Sequence, residues 1–514
     1  MATIERLTVE IDPADTARWD ALARAALGWA RTTGVAPRDA VVLLPFTQLL
    51  PLARRAFARA GGWQPRIETT RTLAASLGPA TPAQAGQLSF DPTLDALSAA
   101  ALLRAEPWAA AWARRDRRAF EHAVAALTAT AQALAETAFT RPPAVRDAWW
   151  AAARAALTPL AGPGASERLL ARVALEWAAL APAPSTDRLF AMDTPSAWIA
   201  VQAGGADALT DALLNASAAP ALAIDTDPPD DPFGAAATFG APAFVRCDDF
   251  EHEAQAAAAQ VIEHLRRGEQ PVALIAQDRV LVRRIRALLE RFGAGLLDET
   301  GWKLSTTRAA AQVMSLLRAA RADAGTDALL DWLKTGTGWT SAGQQRALAE
   351  LEAVCRKAQI ARIAALAQAE LAPGPARLWA AAAEVLTGLA AVRRQPLGAW
   401  LLALGQALAA CGALAALQAD EAGRQLLIAL RLSASLDAAT AAAWGQGASQ
   451  LVMGFDEFRD WVDATLEQAS FKPPSPGEAA VQVVITPLAR AMLRPFAAVV
   501  FPGADDRRLG APTA

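Results

Sequence analysis

The sequence predicts an α/β protein built on two parallel-sheet domains, each carrying a large helical insertion. Three observations carry this. Short uncharged apolar runs recur, as in strands buried on both faces. They alternate with amphipathic helical stretches, which implies crossovers between parallel strands. Two long alanine- and leucine-rich helical blocks then interrupt the alternation.

The elements follow in order. Ala40–Pro45 is a buried strand, and a helix follows from Leu49 to Ala60. Residues about 92–182 form the first helical insertion, with Trp108, Trp112, Phe120 and His122 among alanine and leucine and Arg114, Arg115, Arg117 and Arg118 between them. Leu189–Asp193 and Ala221–Asp225 are read as strands, each ending in aspartate. The proline- and aspartate-rich stretch Asp225–Pro242 reads as a linker, so the first domain is placed at 1–242 and the second at 243–514. In the second, Phe244–Cys247 is expected as a strand. Asp249–Arg267 is a helix with Ala254, Ala258, Val261, Ile262 and Leu265 on one face. Val272–Ala276 is a strand, Asp278–Arg291 a helix and Gly295–Leu297 a short strand. Residues about 308–466 form the second insertion, where Phe455, Phe458, Val462 and Leu466 keep helical spacing. A loop at Lys472–Gly477 leads to strands at Val481–Ile485 and Ala497–Phe501.

Composition excludes several classes. At 514 residues the chain exceeds one compact domain, and 53% hydrophobic with 20% charged residues excludes a disordered chain. The net charge of −3 removes any whole-surface argument for nucleic acid, so a DNA path would have to be a local arginine surface. Cys247, Cys355 and Cys411 are too dispersed for metal spacing, and with His122, His252 and His264 they are read as structural. The start resembles no signal peptide and no uncharged span of about 20 residues occurs, so a cytoplasmic location with no membrane partner is expected.

Two stretches carry a family resemblance. The first runs Asp249-Phe-Glu-His-Glu-Ala-Gln255, Val272–Arg279, Arg283–Leu289, Phe292-Gly293 and Gly301-Trp-Lys-Leu-Ser305. The second runs Gly454–Trp461, Val481-Gln-Val-Val-Ile-Thr-Pro487 and Arg494–Gly503. With the doubly inserted layout, they resemble the superfamily-one helicases of the UvrD and AddB type, which implies two RecA-like domains. Val41–Pro45 stands where the family's phosphate loop would begin.

The departures sharpen the resemblance. A phosphate loop needs Gly-x-x-x-x-Gly-Lys-Ser/Thr, so that backbone N–H groups and a lysine face the phosphates. No Gly-Lys pair occurs, and Pro45-Phe-Thr-Gln-Leu-Leu-Pro51 follows the first strand. Where a magnesium-binding Asp-Glu pair belongs, Asp193 precedes Thr194 and Pro195, and Gln277 stands at the position of a family arginine. The pattern is similar to the AddB type, a helicase-like subunit that has lost ATPase motifs. ATP binding is therefore not expected. The resemblance implies recombinational repair at DNA ends bearing single-stranded tails, beside an ATP-driven helicase–nuclease partner subunit. An intact member is an exodeoxyribonuclease whose C-terminal nuclease domain binds Mg2+. That domain needs Glu-x-Lys, which is absent here, so the chain is expected to be a truncated form with no nuclease activity, no catalytic residue and no metal. Asp505 and Asp506 are expected to be neutralised by Arg507 and Arg508.

The DNA-contact candidates are Arg279, Arg283 and Arg284 on the best-matched helix, with Arg286 beside them, Trp302 as the stacking ring, and Thr486 and Arg490 as phosphate contacts. Each has a plainer alternative: a solvated helix face, core packing or a strand-end turn. Asp193 is read as a helix cap rather than a metal ligand. Two rival functions stand beside this one, an active ATP-dependent helicase and a helical interaction scaffold that binds no DNA.

Overall fold

The computed structural model describes residues 4–9, 18–84, 86–158, 164–226, 243–390, 394–432, 450–472 and 481–509. It is an α/β fold with two parallel sheets. The first contains β1 (Ile4–Thr8), β2 (Ala40–Leu43), β3 (Arg66–Glu68), β4 (Ala197–Gln202) and β5 (Ala221–Asp225), in the order β1-β5-β4-β2-β3. Its register sets Val41 beside Trp198, and Trp198 beside Ala221. Every residue of β2 and β4 is buried, as strands covered on both faces must be.

Helices α1 (Arg18–Thr32) and α2 (Leu50–Ala60) cover one face of this sheet through Val42, Ile199, Leu222 and Ile224. On the other face, α3 (Thr70–Ser76) and a helix at Ala208–Ala216 pack against Val41, Leu43, Trp198 and Ala200. The alternation along β2 and β4 is the two-residue period of a strand feeding two cores.

The second sheet is smaller. Its strands are β6 (Val272–Ile275), β7 (Leu296–Asp298), β12 (Val483–Thr486) and β13 (Ala498–Val500), ordered β13-β6-β12-β7 and all parallel. The strands numbered between them form two short antiparallel pairs: β8 (Trp302–Lys303) with β11 (Ser470–Phe471), and β9 (Arg394–Pro396) with β10 (Val452–Gly454). Two helices, Phe250–Arg266 and Arg279–Phe292, pack on one face of the second sheet through Val272, Leu274, Val483 and Ile485.

Helices from Pro92 to Ala179 lie between β3 and β4, and helices from Arg308 onward, ending with Phe455–Gln468, lie between β8 and β11. Each block has its own core. Trp400 centres the second: it is fully buried, stacks on Phe458 at 5.4 Å and donates its indole N–H to the Met453 carbonyl at 3.1 Å. The blocks touch through Arg104–Glu457 at 2.9 Å, Arg117–Asp460 at 3.4 Å and Arg431–Asp91 at 3.1 Å. No single described helix is long and apolar enough to cross a membrane.

Several expectations need correction. Leu189–Asp193 is not a strand: Ser185–Phe190 is a 3-10 helix. Its apolar residues cap the sheet core through Leu189, and Pro184 and Pro195 bound the segment too closely for a ladder. The strand lies one step later, at β4, which ends in Gln202 rather than aspartate. Asp193 is exposed in the intervening turn and caps no described helix. Phe244–Cys247 has no strand partner and stays extended and largely exposed, with Phe244 89% accessible. Residues 227–242 of the expected linker and 473–477 of the expected loop lie outside the described residues.

Trp400→Ala should destabilise the second helical block by about 3–5 kcal/mol, the range for deleting a buried aromatic ring. Urea titration followed by circular dichroism measures this. A change under ~1 kcal/mol would mean the ring is not central to that core.

Candidate functional site

In open parallel sheets, ligands bind outside the carboxyl ends of the strands, where neighbouring strands send their crossovers in opposite directions. In the first sheet that point lies between β2, which leads to β3 on one side, and β4, which leads to β5 on the other. In the second it lies between β6, which leads to β7, and β12, which leads to β13.

At the first point, β2 runs into Leu44-Pro45-Phe46-Thr47, and α2 starts with no side-chain cap and with proline in its first turn. β4 runs into Gly204 and Gly205, both at positive φ, and Asp207 then caps the next helix by accepting from Thr210 N at 3.0 Å. A Cβ at Gly204 would sit 3.1 Å from the Met492 sulfur, and with φ at +73° a side chain there would be strained, so glycine suits the turn on which a distant segment closes.

At the second point, a carboxylate organises the loops. Glu299, just past β7, accepts from the Thr486 hydroxyl at 2.7 Å and from Arg494 Nη1 at 2.9 Å through the same Oε2, and its backbone carbonyl accepts from Arg490 at 3.4 Å. Thr486 is fully buried, so its hydroxyl is engaged inside the fold. Nearby, Arg508 bridges Glu253 at 3.3 Å, Asp278 at 3.2 Å and Asp505 at 2.8 Å. Gln277 donates to the Arg508 carbonyl at 2.8 Å. Asp505 is thus held by an arginine, as the adjacent Arg507 and Arg508 suggested, although residues 506–509 form a short helix rather than a tail.

The helix Arg279–Phe292 begins at this second point. Asp278 caps it, accepting from Val280 N at 2.8 Å and Leu281 N at 3.1 Å, and Gly293 ends it in the left-handed conformation. Leu281, Val282, Ile285 and Leu289 face the sheet, and the arginines of the helix divide into two groups. Arg284 forms a two-pronged pair with Glu251 at 2.6 and 2.8 Å. Arg286 pairs with Glu290 at 2.7 Å and Asp298 at 3.1 Å. Arg279 and Arg283, one turn apart, are exposed and have no ion-pair partner among the described residues, and Arg291 follows two turns on in the same state. Arg291 lies outside the resemblance motif, and its place on the exposed face of the helix is legible from the apolar spacing of Leu281, Ile285 and Leu289.

Trp302 is not in a free loop. It pairs in β8 with Phe471, whose ring meets it edge-on at 5.0 Å, and the Arg286 guanidinium lies 5.0 Å over its ring. The preceding Gly301 has φ +64°, and a Cβ there would overlap the Phe471 carbonyl. Of the first-block arginines, Arg117 pairs with Glu121 at 2.6 Å and with Asp460, while Arg114, Arg115 and Arg118 are exposed. Among the described residues, no cluster of three or more His, Cys, Asp or Glu side chains has metal-binding geometry.

Compared with known proteins, the chain matches no family model and no curated protein.

The Glu251–Arg284 pair gives a titration test. Hydrogen bonds from Arg284, then Gln255, hold the Glu251 carboxyl down to about 2 against an ordinary 4.5. A carboxyl depressed in the folded state stabilises fully above its unfolded value and loses that contribution as pH falls toward the folded one. Glu251 should therefore remain ionised through pH 3, and Arg284→Ala should return its titration toward the usual carboxylate range. Carbonyl-detected NMR of labelled glutamate measures both, and a midpoint near 4.5 in the unaltered protein would break the assignment.

Proposed function

We propose that this chain is a helicase-like, non-motor DNA-binding scaffold of the AddB type, built on two RecA-like units and acting at double-strand ends during recombinational repair. In this reading an ATP-driven partner subunit supplies translocation, and cleavage belongs to a Mg2+-dependent nuclease domain outside this chain.

One observation carries the reading. On the helix Arg279–Phe292, Arg284 and Arg286 are engaged by carboxylates of the same chain, whereas Arg279, Arg283 and Arg291 are exposed with no ion-pair partner among the described residues. Unpaired guanidinium groups on a rigid helix suit phosphate oxygens, which they can bind in forked geometry. The twelve steps from Arg279 to Arg291 span about 18 Å of helix axis, enough to follow several phosphates. The pairings of Thr486, Arg490, Arg494 and Trp302 support a positioning role for them behind that surface. The non-motor part of the reading is supported by the residues after β2, where proline, phenylalanine, threonine and glutamine replace a glycine–lysine cradle.

The rival helical-scaffold reading draws on the net charge of −3 and on the many internal arginine pairs. A salt series separates the two. Binding to a tailed duplex end should weaken linearly in log–log form, and Arg279→Ala or Arg283→Ala should each reduce the slope by about 0.9, or about 0.7 if the contact is to a single strand. Arg284→Ala, which removes an already paired guanidinium, should change the slope little. Fluorescence anisotropy reads all of these. Absence of binding at low salt would sink the DNA reading, and DNA-stimulated ATP hydrolysis above a contaminant control would sink the non-motor part.

A further inference from the structure

The connection between β12 and β13, residues 487–497, does more than cross over the second sheet. Its base is fixed on that sheet by Glu299, which gathers Thr486, Arg490 and Arg494. Its tip leaves the sheet and enters the first one. The Leu493 carbonyl accepts the indole N–H of Trp19 at 2.9 Å, and Trp19 is only 4% exposed in the core beneath α1. The Leu493 side chain packs against that same core. Met492 seats its sulfur and terminal methyl on the Gly204 turn at the carboxyl end of β4. Leu493 holds φ at +58°, a conformation that leucine adopts only when its surroundings impose it.

The place this tip occupies is on the carboxyl edge of the first sheet, against the turn that follows β4 and the start of α1 that follows β1; ligands of such sheets bind at that edge. We propose that Met492 and Leu493 form an internal plug: the chain seats its own residues on the carboxyl edge of the first sheet and thereby latches the two sheets together. The plug needs no bound small molecule to hold this arrangement, because apolar contact, one indole hydrogen bond and the Glu299 anchor supply the connection. The inference is independent of whether the protein binds DNA.

The Glu299 end and the Leu493 end have separate roles. Glu299 shapes the segment, so its loss should loosen the base, whereas Leu493 inserts, so its loss should release the tip. Leu493→Gly removes the inserted side chain and accepts the positive φ without strain, so this variant should still fold. Trp19→Phe keeps an aromatic ring in the core while it removes the donor and part of the indole.

Hydrogen exchange with mass spectrometry on the full chain tests the plug, with small-angle scattering as the second measurement. In the unaltered protein, peptides covering 488–494 and the 203–206 turn should be protected together. In Leu493→Gly both should lose protection by at least tenfold and the radius of gyration should rise, while peptides covering β4 and β12 keep theirs. Trp19→Phe should give a smaller change in the same peptides. The proposal is overturned if 488–494 exchanges like an open loop in the unaltered protein, or if Leu493→Gly leaves both peptides and the dimensions unchanged. Retained protection in β4 and β12 distinguishes release of the plug from general unfolding.

Discussion

A parallel sheet buried on both faces is the constraint from which the rest of this structure follows. Its strands cannot be joined by tight hairpins, so each connection must leave one end, cross a face and return to the other. The crossing segments become the helices that cover the sheet, and the carboxyl ends of all strands gather on one edge. In the first sheet that edge holds Gly204, and in the second it holds Glu299, Thr486 and Arg508, although the latter come from widely separated parts of the chain. Residues with chemistry to offer are concentrated there because the backbone leaves them nowhere else to converge.

The charges follow a second logic. With nearly balanced charge, many guanidinium groups meet carboxylates of this chain. Buried and half-buried examples are Arg146 with Asp187 at 2.5 Å and Arg494 with Glu299. Such pairs fix geometry more than they add stability, since desolvating both ions offsets much of their attraction. On the helix Arg279–Phe292 the exposed Arg279, Arg283 and Arg291 contrast with the paired Arg284 and Arg286.

Much of the fold was legible in the sequence because buried parallel strands and helical faces leave strong local patterns. β2, β5, β6, β7, β12 and β13 coincide with apolar runs, and both helical blocks fall close to their expected limits. Besides Phe244–Cys247, which found no partner strand, the failures were of two kinds. Leu189–Phe190 looked like a strand because an apolar cluster capping a core has the same composition as one inside a ladder, and only the ladder partner distinguishes them. β1 and β3 were missed because one is an edge strand with an exposed, charged face and the other has three residues. For the candidate site, the sequence located the helix but could not say which arginines were already paired. Glu251 is 33 positions before Arg284, and Glu299 is 187 before Thr486, so neither partnership leaves a local trace.

The register of the first sheet carries a consequence for how the chain is made. β2 lies beside β4, and β1 beside β5, with the whole first helical block intervening. A chain emerging from the ribosome presents β1 to β3 long before the strands that complete their ladder. Closing so long a loop adds little at equilibrium, because each doubling of length costs only about 0.6 kcal/mol. In time the delay is large, since distant pairings form slowly. Val41, Val42 and Leu43 can pair with β3 at once, but their β4 side must wait while the alanine-rich helices fold on local contacts. Assembly of this sheet is set by the order of synthesis, and the helical block serves as the spacer that decides when its two halves can meet.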